Sequence, residues 1–319
     1  GVQTRKREWQ TSGDAPLVDD HSLADGFLGT LPFALTGAQE RVLREVRDDM
    51  ARTIPMSRLL EGDVGSGKTV VALAAMLDLV DDGYQSVLMA PTEVLAEQHF
   101  RTLCKLLSGE PEPPLNGMVQ IGSRPFRIVL LTGSTKSKQR RDALEAIEHG
   151  GAQIIVGTHA LIQESVKYHR LGLAVVDEQH RFGVMQRGEL RKRGATADGE
   201  SHTPHLLVMS ATPIPRSLAL TVFGDLDLSV IDEMPPGRTP IETKWLTPIE
   251  RATAFAHVRR EIDAGRQAFV ICPLVEDSAS VESRAATEEY ERLRTQEYPD
   301  LYDRIALLHG RMSSKDKDS

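Results

Sequence analysis

The sequence predicts an α/β fold in which a parallel sheet is covered by helices on both faces. Three observations predict it. Residues 86–90, 127–131, 153–157 and 171–176 are almost continuously apolar, as expected for strands that are buried on both faces. Segments with helical periodicity separate these runs, and polar residues follow each run where its strand would end. The carboxyl ends of such strands share one edge of the sheet, where ligands bind.

The first strand, loop and helix surround a glycine-rich segment. Residues 58–61 predict a strand and residues 69–80 an apolar helix, and the pattern G-x-x-x-x-G-K-[ST] lies between them. Glycines let successive N–H groups point at one anion, while the lysine adds a charge and the threonine hydroxyl can bind Mg²⁺. A flexible Gly/Ser loop would not explain the flanking strand and helix. We therefore expect ATP and Mg²⁺ at Gly62, Asp63, Val64, Gly65, Ser66, Gly67, Lys68 and Thr69.

The segment before this loop predicts a helix that begins after Thr36, a good N-cap, and runs to about residue 51. Gln39 lies off its apolar face, one turn in. A glutamine amide offers a donor and an acceptor that can pair with the edge of adenine, although surface glutamines are common. Phe33 is expected to pack as a hydrophobic staple rather than against a base. Residues 1–30 are predicted to be a linker from an upstream domain.

Two acidic residues follow the apolar run 171–176. Asp177 would hold Mg²⁺ and Glu178 would polarise the attacking water, as a nucleotide hydrolase requires opposite its phosphate loop. The alternative is an acidic cap on the next helix. His180 is predicted to couple nucleotide state to Ser210 and Thr212. The alternative for His180 alone is a structural histidine.

The run Pro-Pro-Gly-Arg-Thr-Pro at residues 235–240 predicts a stiff, turn-rich linker. It separates a first domain, residues 31–234, from a second α/β pattern over residues 241–319. That second pattern predicts helices over residues 250–264 and 286–296, and strands over residues 242–246, 268–272 and 305–308.

Composition sets limits on function. The 319 residues carry a formal net charge of −8, which argues against a basic DNA-coating protein but allows a local basic groove. Cys104 and Cys272 lie far apart, so we expect reduced thiols in the cytoplasm rather than a disulfide framework. His202 and His205 lack further ligands, which favours a loop over a metal site. No apolar run is long enough to span a membrane.

Taken together, the motifs resemble those of superfamily 2 helicases. GDVGSGKT, APTEVLA, TGS, GTHAL, DEQH and SAT occur in the family's order, with Gln39 at its adenine-reading position. More narrowly, DEQHRFGV, MSATPIPR, MPPGRTPI and LLHGRM resemble the RecG family of bacterial fork-remodelling DNA translocases. The resemblance covers residues 31–312 and implies two RecA-like domains, the second one partial, with ATP between them and DNA across their top. It implies contacts to DNA backbone phosphates, with N-capping as the alternative, at Thr92, Thr132, Gly133, Ser134, Thr158 and His159.

The sequence departs from this family after LLHGRM, because the later motifs, with the arginines that complete the ATP site, are missing. We therefore expect a fragment that binds ATP–Mg²⁺ and hydrolyses it weakly. The resemblance implies branched or double-stranded DNA as the partner, single-stranded-DNA-binding protein as a further partner, no membrane and a monomer. Two alternatives stay open: the motor of a transcription-repair coupling translocase, and a nucleotide-gated nucleic-acid-binding module without motor activity.

Overall fold

A computed structural model of the protein describes residues 15–110, 114, 117–177, 202–212, 226–234, 241–272 and 279–308. The chain divides into two compact units, Gly1–Arg238 and Thr239–Ser319. The boundary falls within the predicted linker, residues 235–240, which lies outside the described residues.

The described part of the first unit is an α/β layer structure. Its helices are α1 (Ser22–Thr30), α2 (Gly37–Met50), α3 (Lys68–Asp81), α4 (Glu93–Ser108) and α5 (Ser137–Glu148). Its strands are β1 (Ser57–Gly62), β2 (Gln85–Met89), β3 (Met118–Ile121), β4 (Arg124–Leu131), β5 (Ile154–Gly157), β6 (Leu171–Asp177), β7 (His205–Ser210) and β8 (Asp227–Ile231). They form one sheet in the order β3-β4-β5-β2-β6-β7-β1-β8. Neighbouring strands run parallel except β3, which is antiparallel to β4.

Alternate residues of each central strand enter two separate cores. In β6, Leu173 and Val175 pack on one face while Ala174 and Val176 pack on the other, and all four are at most 1% exposed. The two-residue period of a strand therefore places a hydrophobic layer on both faces. This arrangement confirms the predicted parallel sheet covered on both sides.

Two strands were not predicted. β3 forms an antiparallel hairpin with β4. β8 pairs with β1 at the sheet edge, and its burial alternates rather than being continuous. Buried Ser229 of β8 accepts a hydrogen bond from Arg58 of β1 at 2.7 Å. An edge strand that buries a serine lacks the continuous apolar run on which the prediction depended.

The predicted linker over residues 1–30 is wrong for residues 15–30, while residues 1–14 lie outside the described residues. Helix α1 buries Ala24 and Phe27 completely in the larger of the two cores, the main core, which also contains Leu173 and Val175. The backbone N–H of Leu23 and the hydroxyl of Ser22 both donate to Asp81 at the end of α3, each at 2.9 Å. This segment is therefore an integral part of the first unit, packed against the helix that follows the phosphate loop.

His205, expected in a loop, is instead the first residue of β7 and is completely buried. Its Nδ1 accepts from the backbone N–H of Met56 at 2.9 Å, so the proton resides on Nε2, 2.7 Å from the carbonyl oxygen of Pro16. Burial lowers the pKa of this imidazole from 6.5 to about 4. The neutral ring joins β7, β1 and the chain preceding α1.

This buried histidine predicts a loss of stability in acid. Because its folded-state pKa lies below the unfolded value, the unfolded chain binds the proton first as the pH falls. The stabilisation is fully present above pH 6.5 and is lost progressively towards pH 4, by roughly 3 kcal/mol at about 1.4 kcal/mol per pKa unit. Urea titrations between pH 7 and 4 should show this decline, and His205→Gln should flatten it. Replacing exposed His149 by glutamine serves as the control; equal slopes for both variants would contradict the prediction.

The described part of the second unit is helical. It contains a 3₁₀ turn (Pro248–Glu250), α6 (Arg251–Asp263), α7 (Ala279–Arg292), a π-helical turn (Leu293–Glu297) and a 3₁₀ helix (Pro299–Arg304). A small cluster around Leu293, Tyr298 and Leu301 joins these elements to α6. None of the helices in the described parts of either unit is long and apolar enough to cross a membrane.

The strands predicted over residues 242–246, 268–272 and 305–308 are not formed. Phe269 and Ile271 of the second segment are 88% and 87% exposed. A strand needs a neighbour for its backbone hydrogen bonds, and the described residues of this unit contain no strand to provide one. The apolar pattern is therefore present without the pairing that a sheet requires.

Candidate functional site

The phosphate loop connects β1 to α3 as predicted. Gly65 and Gly67 have φ angles of 79° and 88°, which are left-handed conformations that favour glycine. Gly67 occupies the N-cap of α3, where no side chain caps the helix, so the positive end of the helix dipole faces the loop. The Lys68 ammonium donates to the carbonyl oxygens of Gly62 and Asp63 at 2.6 and 3.0 Å. The loop thus holds a positive charge beside the positive end of a helix.

The phosphate loop leaves no space for a side chain at Gly62. A Cβ on Gly62 would lie 2.6 Å from the hydroxyl oxygen of Ser66, which is closer than real contacts allow. That hydroxyl is buried and has no hydrogen-bond partner among the described residues. A glycine cradle with an unsatisfied buried donor fits an anionic oxygen as ligand.

Gln39 supports the loop from behind. It is 2% exposed, not on the surface, and forms a capping box with Thr36 at the start of α2. Its Oε1 accepts from the backbone N–H of Thr36 at 2.9 Å, and its Nε2 donates to the carbonyl oxygen of Ser66 at 2.7 Å. Both ends of the amide are therefore engaged within the protein. The predicted staple at Phe33 is wrong, because that ring is 47% exposed.

Asp177 and Ser210, two of the predicted site residues, lie along the same edge of the sheet. Asp177 ends β6 and pairs in register with Met209 of β7, and the next residue, Ser210, pairs with Glu61 of β1. Strand spacing of about 4.8 Å places the end of β6 roughly 10 Å from the end of β1, where the phosphate loop begins. Asp177 and Thr69 could hold a metal ion at this edge. Glu178 and His180 lie outside the described residues.

Ser210 and Thr212 form a local turn beyond β7. Their hydroxyl oxygens are 3.0 Å apart, and the backbone N–H of Thr212 donates to the Ser210 hydroxyl at 3.3 Å. Ser210 is 3% exposed. The turn occupies the sheet edge between Asp177 and the phosphate loop.

The residues predicted to contact DNA follow three neighbouring strands, β4, β5 and β2. In register, Leu131 pairs with Gly157, which pairs with Met89. The loops after these positions contain Thr132, Gly133, Ser134, Thr158, His159 and Thr92. They therefore meet at one edge, beside the strand ends that carry Asp177 and Ser210.

The hydroxyls of these loops differ in what they already bind. Thr92 is the N-cap of α4 and accepts from the N–H of Leu95 at 3.3 Å. Thr132 lies 3.1 Å from the Ser134 hydroxyl within its own loop. Thr158 has a buried hydroxyl without a hydrogen-bond partner among the described residues. Thr158 is thus the loop hydroxyl whose hydrogen-bonding capacity the described protein leaves unused.

The structure adds two residues that sequence reasoning missed, both on α4. Glu93 accepts from the backbone N–H of Ser134 at 3.0 Å. His99 Nε2 lies 2.6 Å from Asp177 Oδ2. Their partners are 41 and 78 residues away in the chain, so no local pattern could have revealed these contacts.

Comparison with known proteins matches the chain to helicases. The sequence profile of the DEAD/DEAH box helicase family matches residues 36–221, more than half of the chain. The chain is 45% identical over 318 residues to an "ATP-dependent DNA helicase RecG" of Synechocystis sp. and 44% identical over 331 residues to one of Mycobacterium tuberculosis. These matches cover 100% of this chain but 36% and 43% of those proteins.

A solved structure described as RecG bound to a three-way DNA junction is also similar. It matches with a TM-score of 0.76 at 37% identity, covering 99% of this chain and 38% of that one. The chain therefore spans well under half the length of the proteins it matches, and the resemblance to RecG predicted from the motifs is confirmed.

Proposed function

The chain belongs to the DEAD/DEAH box helicase family, and from this premise we propose that it is the motor region of an ATP-dependent double-stranded DNA translocase of the RecG type. The observation that carries the proposal is the order of the strand ends. The ends of β6, β7 and β1 carry the nucleotide residues, and the ends of β4, β5 and β2 carry the loops suited to a phosphate backbone. In this proposal one sheet edge would bind ATP along one half and DNA along the other.

In this proposal Lys68 and the loop N–H groups bind the β and γ phosphates of ATP. Thr69 and Asp177 hold Mg²⁺, which would neutralise charge on the phosphates during cleavage. Glu178 would polarise the attacking water. The glycine cradle and the unsatisfied Ser66 hydroxyl support this assignment. The Gln39 amide binds Thr36 and Ser66 with one lone pair and one N–H, so we assign it first to loop support and, through its second lone pair and N–H, to the adenine edge.

Branched DNA is the proposed substrate, because the similar RecG structure is bound to a three-way junction. Hydroxyls and N–H groups at strand ends bind backbone phosphates without reading sequence, as a translocase needs. In the intact protein this motor would regress stalled forks and migrate branches. Exposed Lys136, Lys138 and Arg141, at the start of α5, would extend the surface with positive charge.

We further infer that this 319-residue chain binds ATP–Mg²⁺ but turns it over slowly. The described nucleotide residues all lie in the first unit, and an arginine finger adds about 10³ to 10⁵ to turnover in comparable hydrolases. Steady-state hydrolysis with and without fork DNA measures this directly. Brisk turnover stimulated by forks would overturn the inference.

The DNA half of the proposal predicts that Thr158→Val weakens fork binding without destabilising the protein. Its hydroxyl is buried and unpaired among the described residues, so removing it costs the folded chain no internal hydrogen bond. A hydrogen bond to a charged phosphate contributes about 1.5–3 kcal/mol, so the dissociation constant should rise roughly 10-fold or more. Fluorescence anisotropy with a labelled fork at fixed salt measures it.

The matched control for this variant is Thr30→Val, at the far end of α1, where the hydroxyl donates to the carbonyl oxygen of Phe27. That change should leave DNA affinity unaltered. Equal fork affinity of the Thr158 variant and the unmodified chain would remove Thr158 from the DNA surface.

A further inference from the structure

Helix α4 touches both halves of the sheet edge through two side-chain contacts. At its first residue, Glu93 accepts from the backbone N–H of Ser134, in the loop after β4. Less than two turns later, His99 contacts Asp177 at the end of β6. These two residues are separated by about 9 Å of helix, at 1.5 Å per residue.

The His99–Asp177 contact is short and shielded. Nε2 and Oδ2 are 2.6 Å apart, and the two side chains are 14% and 13% exposed. A carboxylate can only accept, so the imidazole proton resides on Nε2 and points at Asp177. This hydrogen bond fixes one oxygen of the carboxylate and hence the direction in which the other faces. Such an outer partner orients a metal ligand and commonly changes metal affinity 10- to 100-fold when removed.

The Glu93 contact is equally constrained. Oε1 lies 3.0 Å from the Ser134 nitrogen, and a Cβ on Gly133 would come within 2.9 Å of that same oxygen. The loop therefore fits closely around the carboxylate. A shift of this loop must move Glu93 or break the contact.

Helix α4 is anchored along its whole length. Ala96, Leu103 and Cys104 are completely buried in the main core, and Thr92 and Gly109 cap the helix at its two ends. A packed helix moves as a unit rather than bending locally. A displacement at its first turn therefore reaches His99.

We propose that α4 couples the DNA-facing loop to the magnesium ligand, with Glu93 as the contact to the loop and His99 as the positioning residue for Asp177. DNA bound against residues 132–134 would shift Glu93, and α4 would carry that shift to the Asp177 carboxylate. The inference rests on the proposed function, since it requires nucleotide and DNA to bind at the two halves of the edge. It adds a route between them that does not pass through Ser210 and Thr212.

The first test measures binding of a fluorescent ADP analogue to the full chain as a function of Mg²⁺. We expect His99→Ala to raise about 10-fold the Mg²⁺ concentration at which binding of the analogue is half-maximally enhanced. The affinity for the analogue without Mg²⁺ should stay unchanged. His99→Gln, which retains a donor, should restore much of the difference. Gln98→Ala, on an exposed neighbour in the same helix, is the matched control. A shift no larger than that of this control would overturn the positioning role.

The second test measures the factor by which saturating fork DNA changes Mg²⁺–nucleotide affinity. Couplings between sites are typically 5- to 150-fold. We expect that factor to fall towards one in Glu93→Ala and His99→Ala, and to persist in Glu93→Gln, which retains an acceptor oxygen. An undiminished factor in Glu93→Ala would overturn the coupling route. If the unmodified chain bound neither nucleotide nor DNA, the proposed function itself would fail. That outcome differs from failure of the coupling route, in which both ligands still bind.

Discussion

Lys68→Ala is expected to abolish measurable ATP binding at micromolar protein concentration and to remove any hydrolysis. The ammonium would be the point charge on the β and γ phosphates, and hydrogen bonds to charged groups contribute about 1.5–3 kcal/mol each. With more than one such bond lost, affinity should fall at least about 100-fold. The same ammonium donates to Gly62 and Asp63, so the substitution also loosens the loop that presents the N–H groups.

The control for this loss is Lys138→Ala, an exposed residue of α5. It removes an equal charge at a distance from the loop, so a general electrostatic effect would lower affinity in both variants. Titration calorimetry with ATP–Mg²⁺ measures the difference, and thermal unfolding verifies that both variants are folded. Undiminished ATP binding by the Lys68 variant would show that the phosphates bind elsewhere, and the nucleotide assignment would be wrong.

The residues that the sequence placed correctly are those whose signal is local. The phosphate loop needs glycines and a lysine at fixed spacing between a strand and a helix, and all of these lie within a dozen residues. Asp177 is the last of the seven buried residues of β6, so its position at the sheet edge follows from strand geometry. Parallel strands then bring distant loops to one edge without any further information.

The features that the sequence did not reveal depend on contacts between distant segments. β8 is a strand because β1 offers it a partner, although its own residues are partly polar. Residues 268–272 show the converse: an apolar segment forms no strand and stays exposed where the described residues offer no partner. His99 on α4 meets Asp177 because β2, which precedes that helix, lies beside β6.

Gln39 shows how a residue-level prediction can be incomplete. The motif indicated a polar group that could read adenine, but the amide oxygen also accepts from Thr36 and the amide nitrogen also donates to Ser66. A capping box is encoded by a threonine followed by a glutamine three positions later, and this signal was present in the sequence. The bond from Nε2 to the phosphate loop, in contrast, needs the tertiary structure.

Gly67→Ala is expected to disrupt nucleotide binding through this same amide. The new Cβ would lie 2.2 Å from Gln39 Nε2, at a φ of +88° that costs an alanine about 1–2 kcal/mol. Relief of the clash breaks the hydrogen bond to Ser66 and displaces the loop beneath the phosphates. We expect ATP affinity to fall about 100-fold or more, measured by calorimetry as for Lys68→Ala.

Gly109→Ala is the control that separates the steric clash with Gln39 from the free-energy cost of an alanine at a positive φ. Gly109 has a φ of +72° at the end of α4, and a Cβ there meets nothing within 4 Å. That variant should lose a similar 1–2 kcal/mol of stability and keep its ATP affinity. If both variants bound ATP equally well, neither the left-handed backbone at Gly67 nor its close fit against Gln39 would have a role in ATP binding.

A double-mutant cycle identifies the amide as the cause. Gln39→Ala removes the group that the new Cβ would strike, at the expense of one hydrogen bond to the loop. If the clash dominates, Gly67→Ala should cost clearly less in the Gln39→Ala background than alone, with a coupling of about 1 kcal/mol or more. Additive losses of ATP affinity would mean that the backbone cost of alanine at a positive φ explains the effect of Gly67→Ala without the clash. Coupled losses would show that Gln39 holds the phosphate loop in its binding conformation, which is the role that its two hydrogen bonds indicate.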